Sequence, residues 1–176
     1  MKLTKAMFAS LLIAAGPAAH AHGEAAHAKK PQPKATQAVE EKPFGRPGDP
    51  KKVTRTIPID MNDQMEYRPN ALRLRAGETV RLVVRNSGRI MHELVLGTMD
   101  DLKEHAELMR RHPTMEHEEP YMAHVQPGKT ETIVWQFTRP GVFYYGCLIP
   151  GHWEAGMVGR IVVRAHDARQ TERRKP

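Results

Sequence analysis

One thiol, one imidazole and one thioether stand at regular spacing late in the chain: Cys147, His152 and Met157, with four residues between each pair. Cys147 ends the apolar run VFYYGC and Met157 opens GMVGRIVV, so the three fall on a strand, a short loop turned by Pro150-Gly151, and a second strand. Such a loop folds the imidazole of His152 back toward the thiolate, while Met157 approaches from where the chain re-enters the sheet. A fourth donor must come from elsewhere, and His92, in mid-strand after the turn Asn86-Ser87-Gly88, is the candidate. Two imidazoles and a thiolate in a plane, with a weak thioether on the axis, form a one-electron copper site of type 1. The sulfur donors suit Cu(I) and the imidazoles suit both oxidation states. Zinc is disfavoured, because methionine is a poor zinc ligand and the chain has no second cysteine. Each residue alone has a plainer role: a lone Cys or Met is commonly core packing, and a strand His commonly makes hydrogen bonds. It is the four together, on this spacing, that point to copper.

The elements needed to hold such a site are legible as short strands between turns. VTRTIPID (Val53–Asp60) alternates; Leu72–Arg75 alternates, turns at Ala76-Gly77 and resumes as Glu78–Arg85. Ile90–Leu96, Tyr121–Val125, Lys129–Phe137, Val142–Cys147 and Val158–Arg164 complete the set, punctuated by Pro127-Gly128 and Pro140-Gly141. Seven or eight such strands predict an all-β fold, an antiparallel β-sandwich. One insertion breaks the pattern. Thr98 is a suitable N-cap, and Asp100–His112 reads as a helix with Leu102, Ala106 and Met109 on one face.

The ends read differently. Lys2 and Lys5, the apolar run AMFASLLIAA and the small-x-small pattern Ala19-His20-Ala21 predict a cleaved export signal over residues 1–21, too short to span a bilayer. Removing it takes away two lysines and no acid, so the formal charge falls from +7 to +5. Residues 22–50, with five prolines and few large apolar groups, read as a disordered tether. The expected folded domain is 51–166, followed by a basic tail over 167–176. Export, with one cysteine that has no internal disulfide partner, points to an oxidising compartment, the periplasm of a bacterium. Nucleic acid is a poor partner for an exported chain whose arginines lie among strand residues and in the tail. No membrane span is expected, and the protein reads as a monomer.

ALRLRAGETVRLVVRNSG, MHELVLGT, YMAHVQPGKTETIVWQF and RPGVFYYGCLIPGHWEAGMVGRIVV together resemble the cupredoxin family, and within it the bacterial periplasmic copper-tolerance branch. The resemblance runs from about Met61 to Arg164. It implies a Greek-key β-sandwich or barrel with copper near one end, ligated at His92, Cys147, His152 and Met157. It also implies a role in periplasmic copper handling, with electron transfer as the general family activity. One position departs from the better-known electron carriers. They often place Asn or Ser after the first ligand His, tying the ligand loops together; here Glu93 stands there.

The chain has ten Met and ten His. His105, Met109, His112, Met115, His117, Met122 and His124 crowd an acidic stretch that could hold further copper; in the plainer account Met109 packs and the histidines are solvated. His22, the new N-terminus after cleavage, could chelate Cu(II) with His27 nearby, or simply belong to a solubilising start. Trp153 beside His152, with Leu148, Ile149 and Pro150, suits either a docking patch for a redox partner or a cap over the metal. The expected function is copper binding in copper tolerance with Cu(I)/Cu(II) redox; the alternative is a diffusible electron carrier between respiratory or denitrification components. Enzyme activity is not expected, because multicopper oxidases need His-x-His pairs and His20-Ala21-His22 straddles the cleavage site.

Overall fold

Ten strands, one α-helix and a one-turn 3-10 helix (Pro50–Lys52) are present among the residues that the computed structural model describes, 40–113, 115 and 117–166. The expected signal segment, His22, His27 and the basic tail lie outside these residues. The strands are β1 (Arg46–Pro47), β2 (Arg55–Asn62), β3 (Glu66–Arg68), β4 (Ala71–Arg75), β5 (Thr79–Asn86), β6 (His92–Gly97), β7 (Met122–Val125), β8 (Thr130–Gln136), β9 (Gly141–Gly146) and β10 (Val158–Arg164). They form two five-stranded sheets, in the orders β1-β8-β5-β2-β3 and β4-β10-β9-β6-β7. The chain changes sheet repeatedly, and this brings non-consecutive segments side by side. β2 therefore runs parallel to β5, and β4 parallel to β10, so the sandwich is mixed where a purely antiparallel one was expected.

Alternation sets which face of each strand is inside. β4 reads exposed-buried-exposed-buried-exposed, with Leu72 and Leu74 inward, and β5 turns Val80, Leu82 and Val84 into the core. Trp135, Phe137, Tyr145 and Ile161 fill the space between the sheets. Each fully buried side chain of this size contributes about 1.5–3 kcal/mol of transfer free energy.

β6 is buried along its whole length, because the helix α1 (Met99–Arg111) covers its outer face. Leu102, Ala106 and Met109 pack there against Val95, Met122 and Leu148 as a second cluster. The helix starts where the sequence says: Thr98 Oγ1 accepts from the Asp101 N–H, and the Asp101 carboxylate accepts from the Thr98 N–H.

Two expectations need correction. Residues 40–50 belong to the folded unit rather than to a tether. Phe44 is buried, its ring stacks on Trp135 at 5.4 Å, and β1 pairs with β8. A single aromatic anchored in the core is enough to fix a segment that composition alone would leave free. His92 opens β6 rather than lying in mid-strand, since residues 87–91 form a loop.

Candidate metal centre

β9 delivers Cys147 just beyond its last residue, and β10 begins just after Met157, so the intervening loop must turn tightly. The Cys147 N–H donates to the Met157 carbonyl and the Met157 N–H to the His152 carbonyl, both at 3.1 Å. The His152 N–H donates to the Ile149 carbonyl at 2.9 Å. Gly151 and Gly156 take φ of +92° and +87°, a conformation that disfavours side chains. The result lays the His152 imidazole against the thiol, with Sγ and Nδ1 3.2 Å apart.

His92 reaches the same point from β6. The donor atoms of His92, Cys147 and His152 all lie within 4.8 Å of one another, and the two imidazole centroids are 4.9 Å apart. His92 and Cys147 are fully buried. The buried Nδ1 of His92 has no hydrogen-bond partner, while its Nε2 lies 3.2 Å from Asp63 Oδ1. A buried ring nitrogen without a protein partner, on an imidazole that lies beside a thiol and a second imidazole, fits a soft or borderline metal ion. Burial, with the Glu93 charge next, pushes the Cys147 thiol up to about 12, and burial lowers the His152 imidazole. The metal-free site therefore holds a neutral thiol whose proton an entering cation must displace. Met157 is fully buried in the same cluster as Cys147.

Three surrounding residues brace the centre. Glu93, the departure noted above, is itself a tie between loops: Oε1 accepts from the Leu148 N–H at 2.7 Å and Oε2 lies 2.9 Å from His124 Nε2. The Glu93 carbonyl accepts from the Tyr67 hydroxyl at 2.6 Å. Asn86 donates to the Ile90 and Val125 carbonyls, both at 2.8 Å, and accepts from the Gly88 N–H, fixing the approach to His92. Asp63, in the β2–β3 turn, accepts from the Arg89 N–H, which holds its carboxyl below the ordinary carboxylate range. Asn86 was visible in sequence only as a turn residue. Asp63 carried no signal at all, being 29 residues from its imidazole.

The remaining Met and His residues divide. Met109 and Met122 are core residues of the helix-covered cluster, and His112 caps the exposed end of the helix. His105, His117 and His124 come together, with ring centroids 4.7 Å apart for the first pair and 6.3 Å for the second. Both ring nitrogens of His117 are buried without a hydrogen-bond partner among the described residues. His105, His117 and the exposed Met115 line a cavity of about 400 Å³ with Phe44 and Tyr121. Trp153 is half-buried over Gly146, where a Cβ would lie 2.7 Å from the indole, so it packs on β9.

A two-sheet sandwich with a Cys-His-His cluster at one end defines a cupredoxin. The family described as copper binding proteins of the plastocyanin/azurin type matches residues 53–164, and this chain belongs to it. Copper is accordingly its cofactor. The relatives include the "Copper-resistant cuproprotein CopI" of Rubrivivax gelatinosus, 53% identical over 122 residues, covering 69% of this chain and 74% of that protein. The protein of the same description from Pseudomonas aeruginosa is 32% identical over 150 residues, covering 69% and 82%. Among solved structures, reduced auracyanin from Roseiflexus castenholzii superposes with a TM-score of 0.55 at 21% identity, covering 63% of this chain and 98% of that one. It shares the fold. No helix among the described residues is long and apolar enough to cross a membrane.

Proposed function

We propose that this chain is an exported, periplasmic copper protein serving copper resistance, in which His92, Cys147 and His152, with Met157 as a fourth donor, would hold one copper. The observation that carries the reading is the convergence of the His92, Cys147 and His152 donor atoms within 4.8 Å, together with a buried His92 Nδ1 that has no hydrogen-bond partner. The names of the two CopI relatives support the resistance role. Copper supplies reversible one-electron chemistry when bound. The protein's part is to keep the donors in one arrangement for both oxidation states. Glu93 pins the Leu148 N–H beside the thiol, Asn86 fixes the loop before His92, and the β10 entry holds Met157 in place. No catalytic turnover is assigned to the chain.

The purified, copper-loaded protein should show a strong thiolate-to-copper charge-transfer band that disappears in Cys147→Ser. A wild type without that band overturns the reading. Deleting the gene should sensitise cells to copper, and unchanged growth under copper stress would remove the resistance role.

Two additions have their own support. The exposed Ile90 and Met91, next to His92, suit docking of a redox partner, as the electron-carrier alternative requires. That alternative predicts fast, salt-dependent reduction by a donor protein and a respiratory phenotype. A second copper site would draw on His105 and His117, whose ring centroids lie 4.7 Å apart. Residual Cu(I) binding by Cys147→Ala, lost when His117 is also replaced, is the expected result; no residual binding removes the second site.

A further inference from the structure

We propose that Asp63 is a positioning residue for the copper ligand His92, setting which ring nitrogen faces the metal and biasing the site toward Cu(II). The inference rests on the copper reading above and adds to it a carboxylate contributed by the opposite sheet.

The geometry is specific. Asp63 lies in the turn Asn62–Met65, closed by the Met65 N–H donating to the Asn62 carbonyl at 3.1 Å and the Gln64 N–H to Asn62 Oδ1 at 2.9 Å. From there its carboxylate meets the loop leading into β6. Its oxygens accept from the Arg89 N–H at 3.0 and 2.8 Å, and Oδ1 lies 3.2 Å from His92 Nε2. Ser87 locks the two segments together beside it, donating to Asp60 at 2.6 Å. The fit is close enough that a side chain at Gly88 would run into the Asp63 carboxylate.

The chemistry follows from donor counting. A neutral imidazole carries one N–H and one lone pair, and an ionised carboxylate only accepts. Facing Asp63, Nε2 must carry the hydrogen, which leaves the lone pair on Nδ1, the buried atom that has no protein partner. The ring is fully buried, and the carboxylate is the partner that its Nε2 has in the fold. The same negative charge lies one imidazole away from the metal. It strengthens the donor and favours the more highly charged Cu(II) over Cu(I), moderated by solvent because the Asp63 side chain is 32% exposed.

Two variants separate orientation from charge. Asp63→Asn keeps an acceptor oxygen and removes the charge; Asp63→Ala removes both. In metal-free protein, at a pH where the imidazole is neutral, ¹⁵N correlation spectra should show His92 as the Nε2–H tautomer in wild type and Asp63→Asn, and mixed in Asp63→Ala. In copper-loaded protein both variants should shift the Cu(I)-to-Cu(II) balance about tenfold toward Cu(I), a rise in potential of about 59 mV for one electron. A residue that merely braces the loop would lower the melting temperature and leave potential and tautomer unchanged; that result overturns the inference. Failure of the underlying assignment is separately visible, since a wild type without charge-transfer absorption sinks copper ligation itself. An absorbing wild type whose potential survives both substitutions sinks only the role of Asp63.

Discussion

On the proposed ligation, Cys147 sets the conditions under which copper enters. Its thiol is fully buried and pushed up to about 12 from 9.0, so below that pH the metal-free protein holds a proton on sulfur. Ligation needs the thiolate, and copper uptake therefore releases that proton. The sign is fixed: lowering pH opposes binding, and from this group alone the apparent affinity should fall about tenfold per pH unit. Competition titrations against a chelator of known proton linkage check this; an affinity flat across neutral pH would mean that the sulfur is not a ligand. The thiol was legible in sequence because it is the only cysteine and has His152 and Met157 at fixed spacing. His92 was singled out as a candidate by the turn before it, and the fold brings it to Cys147 and His152. Asp63 was not, because a turn aspartate satisfies local backbone donors in most settings and nothing in its neighbours signals a distant ring. Glu93 was noticed as an anomaly, but its two-way tie to Leu148 and His124 needed coordinates.

The elements that were expected fell within one or two residues of those observed, which is the ordinary uncertainty of strand and helix ends, while β1 and the short β3 were not foreseen. Alternation fixed the inward faces of β4 and β5, and the capping pattern fixed the start of α1. Strand partners were less visible, since alternation says which side faces the core and nothing about which strand lies alongside. That is why the parallel pairs β2·β5 and β4·β10 emerged only from the fold. β1 escaped because it is two residues long in a proline-rich stretch. The importance of this stretch comes from Phe44, just before β1, which stacks on Trp135 and lies edge-on to Tyr121 at 5.5 Å. Phe44→Ala should cost about 3–5 kcal/mol of unfolding free energy, read by denaturant titration. Thr98→Ala should cost about 1 kcal/mol through loss of the helix cap. A Phe44 variant as stable as wild type would show that residues 40–50 do not help hold the sandwich together.

At the scale of the molecule, the proposed donors are distributed unevenly. His92 opens β6, Cys147 follows β9, and His152 and Met157 precede β10, and all three strands are neighbours in one sheet. The other sheet approaches through the β2–β3 turn, with Asp63 at His92, and through β3, with Tyr67 at the Glu93 carbonyl. An ion bound here fastens the rim of a single layer. It does for a chain with one cysteine what a disulfide does elsewhere, joining segments distant in sequence. Stripping the metal should therefore accelerate amide exchange at the ligand ends of β6, β9 and β10 while β2 and β5 keep their protection, as mass spectrometry after deuteration would register. Uniform acceleration across both layers would mean that the ion stabilises the whole sandwich at once. With the effect confined to one rim, copper could be lost and regained without unfolding the body of the protein, and an empty copy would remain a competent receptor for the next ion.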